Sequence, residues 1–150
     1  MLLTTLAVKV ALISRHLQPF PPAGTVHWYI DPPHGFSTTA RLTLKAPADQ
    51  RLTHFAVLLH HWDTHQPVAL IPVPTGAIVT VPMPLGRYRL TVVKGLLWQG
   101  PEKLFAYETY ANESLQPVAL FREGPRIVGS EIELERMVGN MEMKALRGAR

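Results

Sequence analysis

The sequence predicts an all-β chain, an antiparallel β-sandwich of roughly seven to nine strands. Three observations lead there. Apolar residues recur at every second position through most of the chain, the period of a strand with one buried face. The apolar stretches are separated at short intervals by Pro, Gly, Asn and Asp. The 14 prolines, about twice ordinary usage, cluster in "PFPP", "DPPHG" and "IPVPTG", which suit strand ends, edges and turns rather than helices. A chain of 150 residues, 47% of them apolar, is long enough to bury a core without staples. It has no cysteine, so disulfides, thiolate metal sites and cysteine nucleophiles are excluded.

The N-terminal run "MLLTTLAVKVALIS" is too short to span a bilayer. It lacks a basic leader, and Lys9 interrupts it, so it reads as a strand of the mature protein ahead of the alternative, a signal or anchor segment. Leu6, Val8, Val10 and Leu12 alternate with Ala7, Lys9 and Ala11, which predicts a strand over Leu6–Ser14. Residues 1–20 are expected to form an N-terminal strand or arm, open to exchange with a neighbouring copy. Residues 21–136 form the sandwich, and residues 137–150 a basic tail or short helix.

Within the sandwich the expected strands are Thr25–Ile30, Thr38–Lys45, Thr53–Trp62, Pro67–Pro72, Ala77–Val81, Arg87–Lys94, Lys103–Tyr110, Pro117–Phe121 and Ile127–Arg136. In "VHWYI" the apolar face is Val26, Trp28 and Ile30; in "ARLTLK" it is Leu42 and Leu44. In "GRYRLTVVK" Tyr88, Leu90 and Val92 point inward, while Arg87, Arg89 and Thr91 face water. The final segment is ambiguous. "SEIELER" alternates as a strand, but Ser130 and Glu133 also resemble a capping box.

"FAVLLHHWDTHQPVAL" (Phe55–Leu70) aligns without a gap on "FAYETYANESLQPVAL" (Phe105–Leu120). Each copy reads as a strand, a polar turn and a second strand entered through Gln-Pro, which predicts a β-hairpin in both places. The repetition fits structural equivalence of two hairpins, or convergence on a common hairpin grammar, better than two equivalent working surfaces.

The stretch Asp63–Gly95, "DTHQPVALIPVPTGAIVTVPMPLGRYRLTVVKG", resembles the transthyretin-like (prealbumin-like) sandwich modules of carboxypeptidase regulatory and collagen-adhesin B-type repeats. Thr64-His65-Gln66-Pro67-Val68 stands where those modules carry "T-G-x-P-V", with His65 in place of the glycine. Pro84-Leu85-Gly86-Arg87-Tyr88-Arg89-Leu90-Thr91-Val92 stands where they carry "P-P-G-x-Y-x-L-x-V". The resemblance implies a transthyretin-like sandwich, with an immunoglobulin-like one as the alternative, and a module that binds, spaces or assembles rather than catalyses. The Tyr-Arg-Gly-Ser ending of the transthyretin-like hydroxyisourate hydrolases is absent.

Chemistry-bearing residues are sparse. "HHWDTH" would place His61, Asp63 and His65 on one side if the strand ran through it. Two imidazoles and a carboxylate suit zinc or non-haem iron. Against that, Asp63-Thr64 falls where a hairpin should turn, and the second copy carries Ala111, Glu113 and Leu115 instead. No G-x-S-x-G elbow or phosphate-binding glycine loop is present. Glu131, Glu133 and Glu135 read as a solvated strand face. Trp28, Tyr29, Trp62, Tyr88, Trp98, Phe105, Tyr107 and Tyr110 suit core packing, or alternatively a carbohydrate platform. Asn112-Glu113-Ser114 fits a glycosylation sequon, relevant only to a chain secreted from a eukaryote.

The net charge is +4, but the basic residues form no stripe, so no strong nucleic-acid signal is present. Charged residues make up 17% of the chain, which points to apolar surface meeting another chain. The expected function is that of a non-catalytic structural or interaction module without a cofactor. It would self-associate or sit in a larger assembly of the virion, tail or surface-filament type. Its expected contact residues are Leu6, Val8, Val10 and Leu12 of the arm, with Arg87 and Arg89. A cytoplasmic or virion location is favoured over secretion. The alternatives are a metal-binding protein or metal-dependent enzyme built on His61, Asp63 and His65, and a sugar-binding module.

Overall fold

The structure, a computed structural model, describes residues 17–35, 37–48, 53–135 and 143–145. Among these residues the chain forms strands and no helix. The strands are β1 (His27–Trp28), β2 (Thr39–Lys45), β3 (His54–His61), β4 (Pro67–Val73), β5 (Ile78–Pro84) and β6 (Gly86–Trp98). They continue with β7 (Phe105–Ser114), β8 (Val118–Glu123), β9 (Arg126–Val128), β10 (Ser130–Glu133) and β11 (Met143–Ala145). The expected Leu6–Ser14 strand lies outside the described residues, and no described helix is long and apolar enough to cross a membrane.

Two sheets result. The larger has eight strands in the order β1-β4-β3-β6-β7-β11, with β8 paired to β6 and β9 to β8; the smaller runs β10-β2-β5. Every described pairing is antiparallel except β10 with β2. The strand count exceeds the expected range for two reasons. Gly129 cuts the expected Ile127–Arg136 strand into β9 and β10, which join different pairings. Met143–Ala145, expected in a tail or short helix, pair with Asn112–Ser114 of β7.

Alternation places the core between the sheets. Leu42 and Leu44 of β2, Val79, Val81 and Met83 of β5, and Ile132 of β10 pack with Phe55, Val57 and Leu59 of β3. Ile71, Tyr88, Leu90, Val92 and Leu120 complete that cluster. Burying each such side chain contributes about 1.5–3 kcal/mol. The opposite face of the large sheet is apolar as well: Ala56, Leu70, Val93, Trp98, Phe105 and Ala111 form a second buried cluster. Phe20 packs on it, stacked on His54 at 4.3 Å and edge-on to Trp98 at 5.2 Å. Gln18 N–H donates to the Trp98 carbonyl at 2.9 Å, so the last residues of the expected arm are fastened to this face.

β6 is longer than expected because neither of its apparent stop signals stops it. Lys94 is only 8% exposed: it pairs with Glu135 and lies 5.5 Å from the Phe55 ring centroid and 5.9 Å from that of Tyr110. Gly95 sits at a β-bulge against β7, where a Cβ would lie 2.4 Å from the Tyr107 carbonyl oxygen. The glycine marks a close approach of two backbones, not a strand end.

The repeated phrase folds in two ways. β3 and β4 form the expected hairpin. β7 and β8 do not. Both pair antiparallel with β6, β7 along Thr91–Trp98 and β8 along Gly86–Tyr88, so they run on in one direction along the same edge. The difference lies in the turn. In the first copy His65 adopts φ 61°, which lets the chain reverse, whereas no residue from Ala111 to Pro117 takes a positive φ. Ser114 of that stretch is fully buried, its Oγ accepting from Leu90 N–H at 3.0 Å, so the Asn112–Ser114 sequon is strand interior.

Proline marks the open edges. Pro72 lies opposite Ala56 in β4, and Pro82 and Pro84 lie opposite Arg41 and Thr39 in β5. A proline tolerated within a paired strand turns its blocked nitrogen to the unpaired side. The β5 edge, and the part of β4 beyond its short pairing with β1, are therefore poor templates for strand addition, which narrows the expectation that edge strands mediate contact.

Candidate functional site

The "HHWDTH" segment is the natural starting point. β3 ends at His61, and Trp62–Thr64 form the turn to β4. His65 N–H donates to the His61 carbonyl and His61 N–H to the Gln66 carbonyl, each at 2.9 Å. The strand alternation expected to align His61, Asp63 and His65 is thus interrupted. The His61 ring stacks on Tyr88 at 5.7 Å. Asp63 lies 3.9 Å from Arg87, both largely exposed. His65 occupies the left-handed position where the resembling modules carry glycine. Histidine tolerates that conformation better than branched residues do. Among the described residues no three His, Cys, Asp or Glu side chains converge as a zinc or iron site requires.

Arg87 and Arg89 were expected to share a solvated face, and only Arg87 does. Arg89 lies 4.1 Å over the Trp62 ring and 3.5 Å from Glu113, with both charged side chains about a fifth exposed or less. Its Nε is buried without a hydrogen-bond partner. These contacts come from a turn that folds Trp62 back and from β7, which sets Glu113 opposite Thr91. Their long-range origin kept them out of reach of local pattern.

Two histidines flank this face. His60 is in register with Arg89, and burial, with Arg89 and His65 adding to it and Glu113 opposing, holds its pKa below the usual histidine value. His54 is also held low by burial, and its Nδ1 accepts the Thr75 N–H at 3.0 Å, which requires the ring to be neutral. For a group whose folded pKa is depressed, the unfolded chain takes up the proton first as pH falls. Stability is therefore expected to decline as pH drops below about 6.5. Thermal unfolding at pH 7.5 and at pH 5 checks this: the midpoint should be lower at pH 5, and the His54→Gln/His60→Gln double variant should show a smaller difference.

The aromatic residues do not make one platform. Tyr88 belongs to the core between the sheets, whereas Trp98 and Phe105 belong to the cluster on the opposite face of the large sheet. Tyr29 and Tyr107 are exposed.

The end of the β6–β7 hairpin is the apolar surface that sequence patterning missed. Leu96 and Tyr107 are register partners, 37% and 57% exposed, and Leu97 beside them is 44% exposed. Leu97 and Leu104 both adopt positive φ, 61° and 62°. A left-handed leucine costs free energy and persists only where its surroundings enforce it. The enforcement is visible: Leu104 N–H bonds to the Gly100 carbonyl at 2.8 Å and Gln99 N–H to the Leu104 carbonyl at 2.6 Å. These bonds tie the end of the hairpin, where Leu104 packs on the second cluster and Leu96 and Leu97 face outward.

No family model, curated protein or solved structure matches the chain. The all-β two-sheet fold stands on the structure itself, and the transthyretin-like resemblance on its motifs.

Proposed function

We propose that this chain is a non-catalytic interaction module of transthyretin-like type, a subunit of a larger assembly such as a virion, tail or surface filament. The observation that carries the reading is the hydrogen-bonded β6–β7 hairpin end, with Leu96, Leu97 and Tyr107 exposed to solvent. Exposed apolar residues clustered on an ordered element mark contact surfaces more often than chance. The proline-blocked β5 edge and the Pro72 stretch of β4 beyond its pairing with β1 point the same way, favouring contact through side chains over contact by strand addition.

Sedimentation velocity over a concentration series tests the reading. The wild-type chain is expected to self-associate, or to arrive within a larger particle when isolated from its source. A Leu97→Glu/Tyr107→Glu variant should weaken association at least about 30-fold, as expected when contact hot spots are lost. Its unfolding midpoint should stay close to that of the wild type. A wild-type chain that stays monomeric at high concentration and comes free of any particle would remove the proposal.

A further inference from the structure

The outer face of the small sheet holds a groove of about 740 Å³, lined by Thr39, Arg41, Thr80, Pro82, Ile127 and Gly129. Its volume falls within the roughly 300–1,000 Å³ range of clefts that take small ligands. The groove arises from the strand pairing. Arg41, Thr80 and Pro82 point away from the core because their neighbours Leu42, Val81 and Met83 point into it. β10 takes up pairing with β2 only from Leu42 onward; short of that point Gly129 lies against the Arg41 backbone, and Thr39–Arg41 have no ladder partner on that side of β2.

The charge pattern of this face shows what the groove lacks. Along β2, Thr43 bonds to Thr80 at 3.0 Å and Lys45 pairs with Glu131. Elsewhere Arg87, Arg89, Lys94 and Arg126 each face a carboxylate, and Arg122 donates to the Ser37 carbonyl. Arg41 has no such partner among the described residues, and it is exposed in the groove. A guanidinium there offers a planar fork that matches a carboxylate. Pro82 and Ile127 supply apolar walls beside it, and the Thr80 hydroxyl a polar contact.

We propose that this groove binds an extended acidic peptide segment of a partner protein, its carboxylate taken by Arg41 and its aliphatic neighbours by Pro82 and Ile127. The site lies on the small sheet, apart from the β6–β7 hairpin, so it deepens the interaction reading without depending on that hairpin as the contact.

The test is a titration of the ¹⁵N-labelled full chain with the probe peptide Ac-Ile-Glu-Val-Glu-Ile-NH₂, its Gln-for-Glu counterpart, and sodium acetate. The expected result is amide shifts at Arg41, Thr80 and Ile127 with the acidic peptide, weaker by about tenfold or more with the Gln peptide and at high salt. Arg41→Gln should erase the difference between the two peptides, and Arg41→Lys should restore part of it. Arg41 is exposed, so both variants should unfold at the wild-type temperature, which a thermal melt confirms. Equal binding of the two peptides, no shifts in the groove, or the same shifts with acetate alone would each overturn the proposal. Leu97→Glu/Tyr107→Glu should leave this titration unchanged, which separates failure of the hairpin contact from failure of the groove.

Discussion

Replacing Tyr88 by alanine is expected to destabilise the chain by about 3–5 kcal/mol, at the upper end for a single core substitution. Tyr88 is fully buried between the sheets, its ring stacked on His61. Its hydroxyl donates to the Pro84 carbonyl, four residues back. Between the two lies the corner at which the chain leaves β5 of the small sheet and, with only Leu85 intervening, enters β6 of the large one. The arrangement is that of a tyrosine corner. The side chain fills the core and ties the sheet crossing at once. Removing it opens a cavity and frees the corner together. Chemical denaturation gives the measurement. A loss below about 1 kcal/mol would mean that the corner is held by something else.

Tyr88→Phe separates the two contributions. It keeps the ring and leaves the Pro84 carbonyl without its donor, so the expected loss is about 1–2 kcal/mol. The phenol also carries a pH signature. Burial pushes its pKa up to about 12, so the folded state holds the proton more tightly than the unfolded chain, where the value is about 10. Stability is then complete below about pH 10 and declines as pH rises toward 12. Tyr110 is raised in the same direction by burial and by the Glu135 charge, so Tyr88→Phe should reduce this alkaline loss without abolishing it.

The corner illustrates what could be read in advance. "PLGRYRL" announced a turn, an inward tyrosine and an alternating strand, and the structure has each of them in place. Period-two patterning located the inner rows of β2 and β6 because each strand has one face against the core. It faltered where an element's fate depends on a distant partner. Lys94 ends the expected strand, but Glu135, some forty positions on, pairs with it and β6 runs on to Trp98. Arg89 looked solvated until Trp62 and Glu113 closed on it. The Gln-Pro phrase looked the same in both copies, yet only the first has a residue that turns left-handed. The outward leucines of the β6–β7 hairpin escaped because strained backbone leaves no periodic trace. The Arg41 groove escaped because it depends on where β10 begins to pair with β2.

The crossing from β9 to β10 makes the sharper test of topology. Gly129 carries the chain from β9 to β10, and a Cβ built there would lie 2.3 Å from the Arg41 carbonyl oxygen and 3.2–3.3 Å from the Arg41 carbonyl carbon and nitrogen. All three atoms are backbone of the central strand of the small sheet, so no rotamer change relieves the clash. Gly129→Ala must therefore push β10 away from β2, loosening the one parallel pairing and the Ile132 packing it supports. The expected cost is about 3 kcal/mol, at the upper end for an overpacked site, and an unfolding midpoint lower by about 6–12 °C for a chain of this size. Gly124→Ala is the control with the opposite character. Gly124 has φ 60° but nothing within 4 Å of a built Cβ, so only the left-handed backbone resists the change. That strain costs about 1 kcal/mol. If the two variants melt together, β10 does not run beside β2 as described. If Gly129→Ala falls well below Gly124→Ala, the close backbone approach at Arg41 is real, and with it the register that opens the groove.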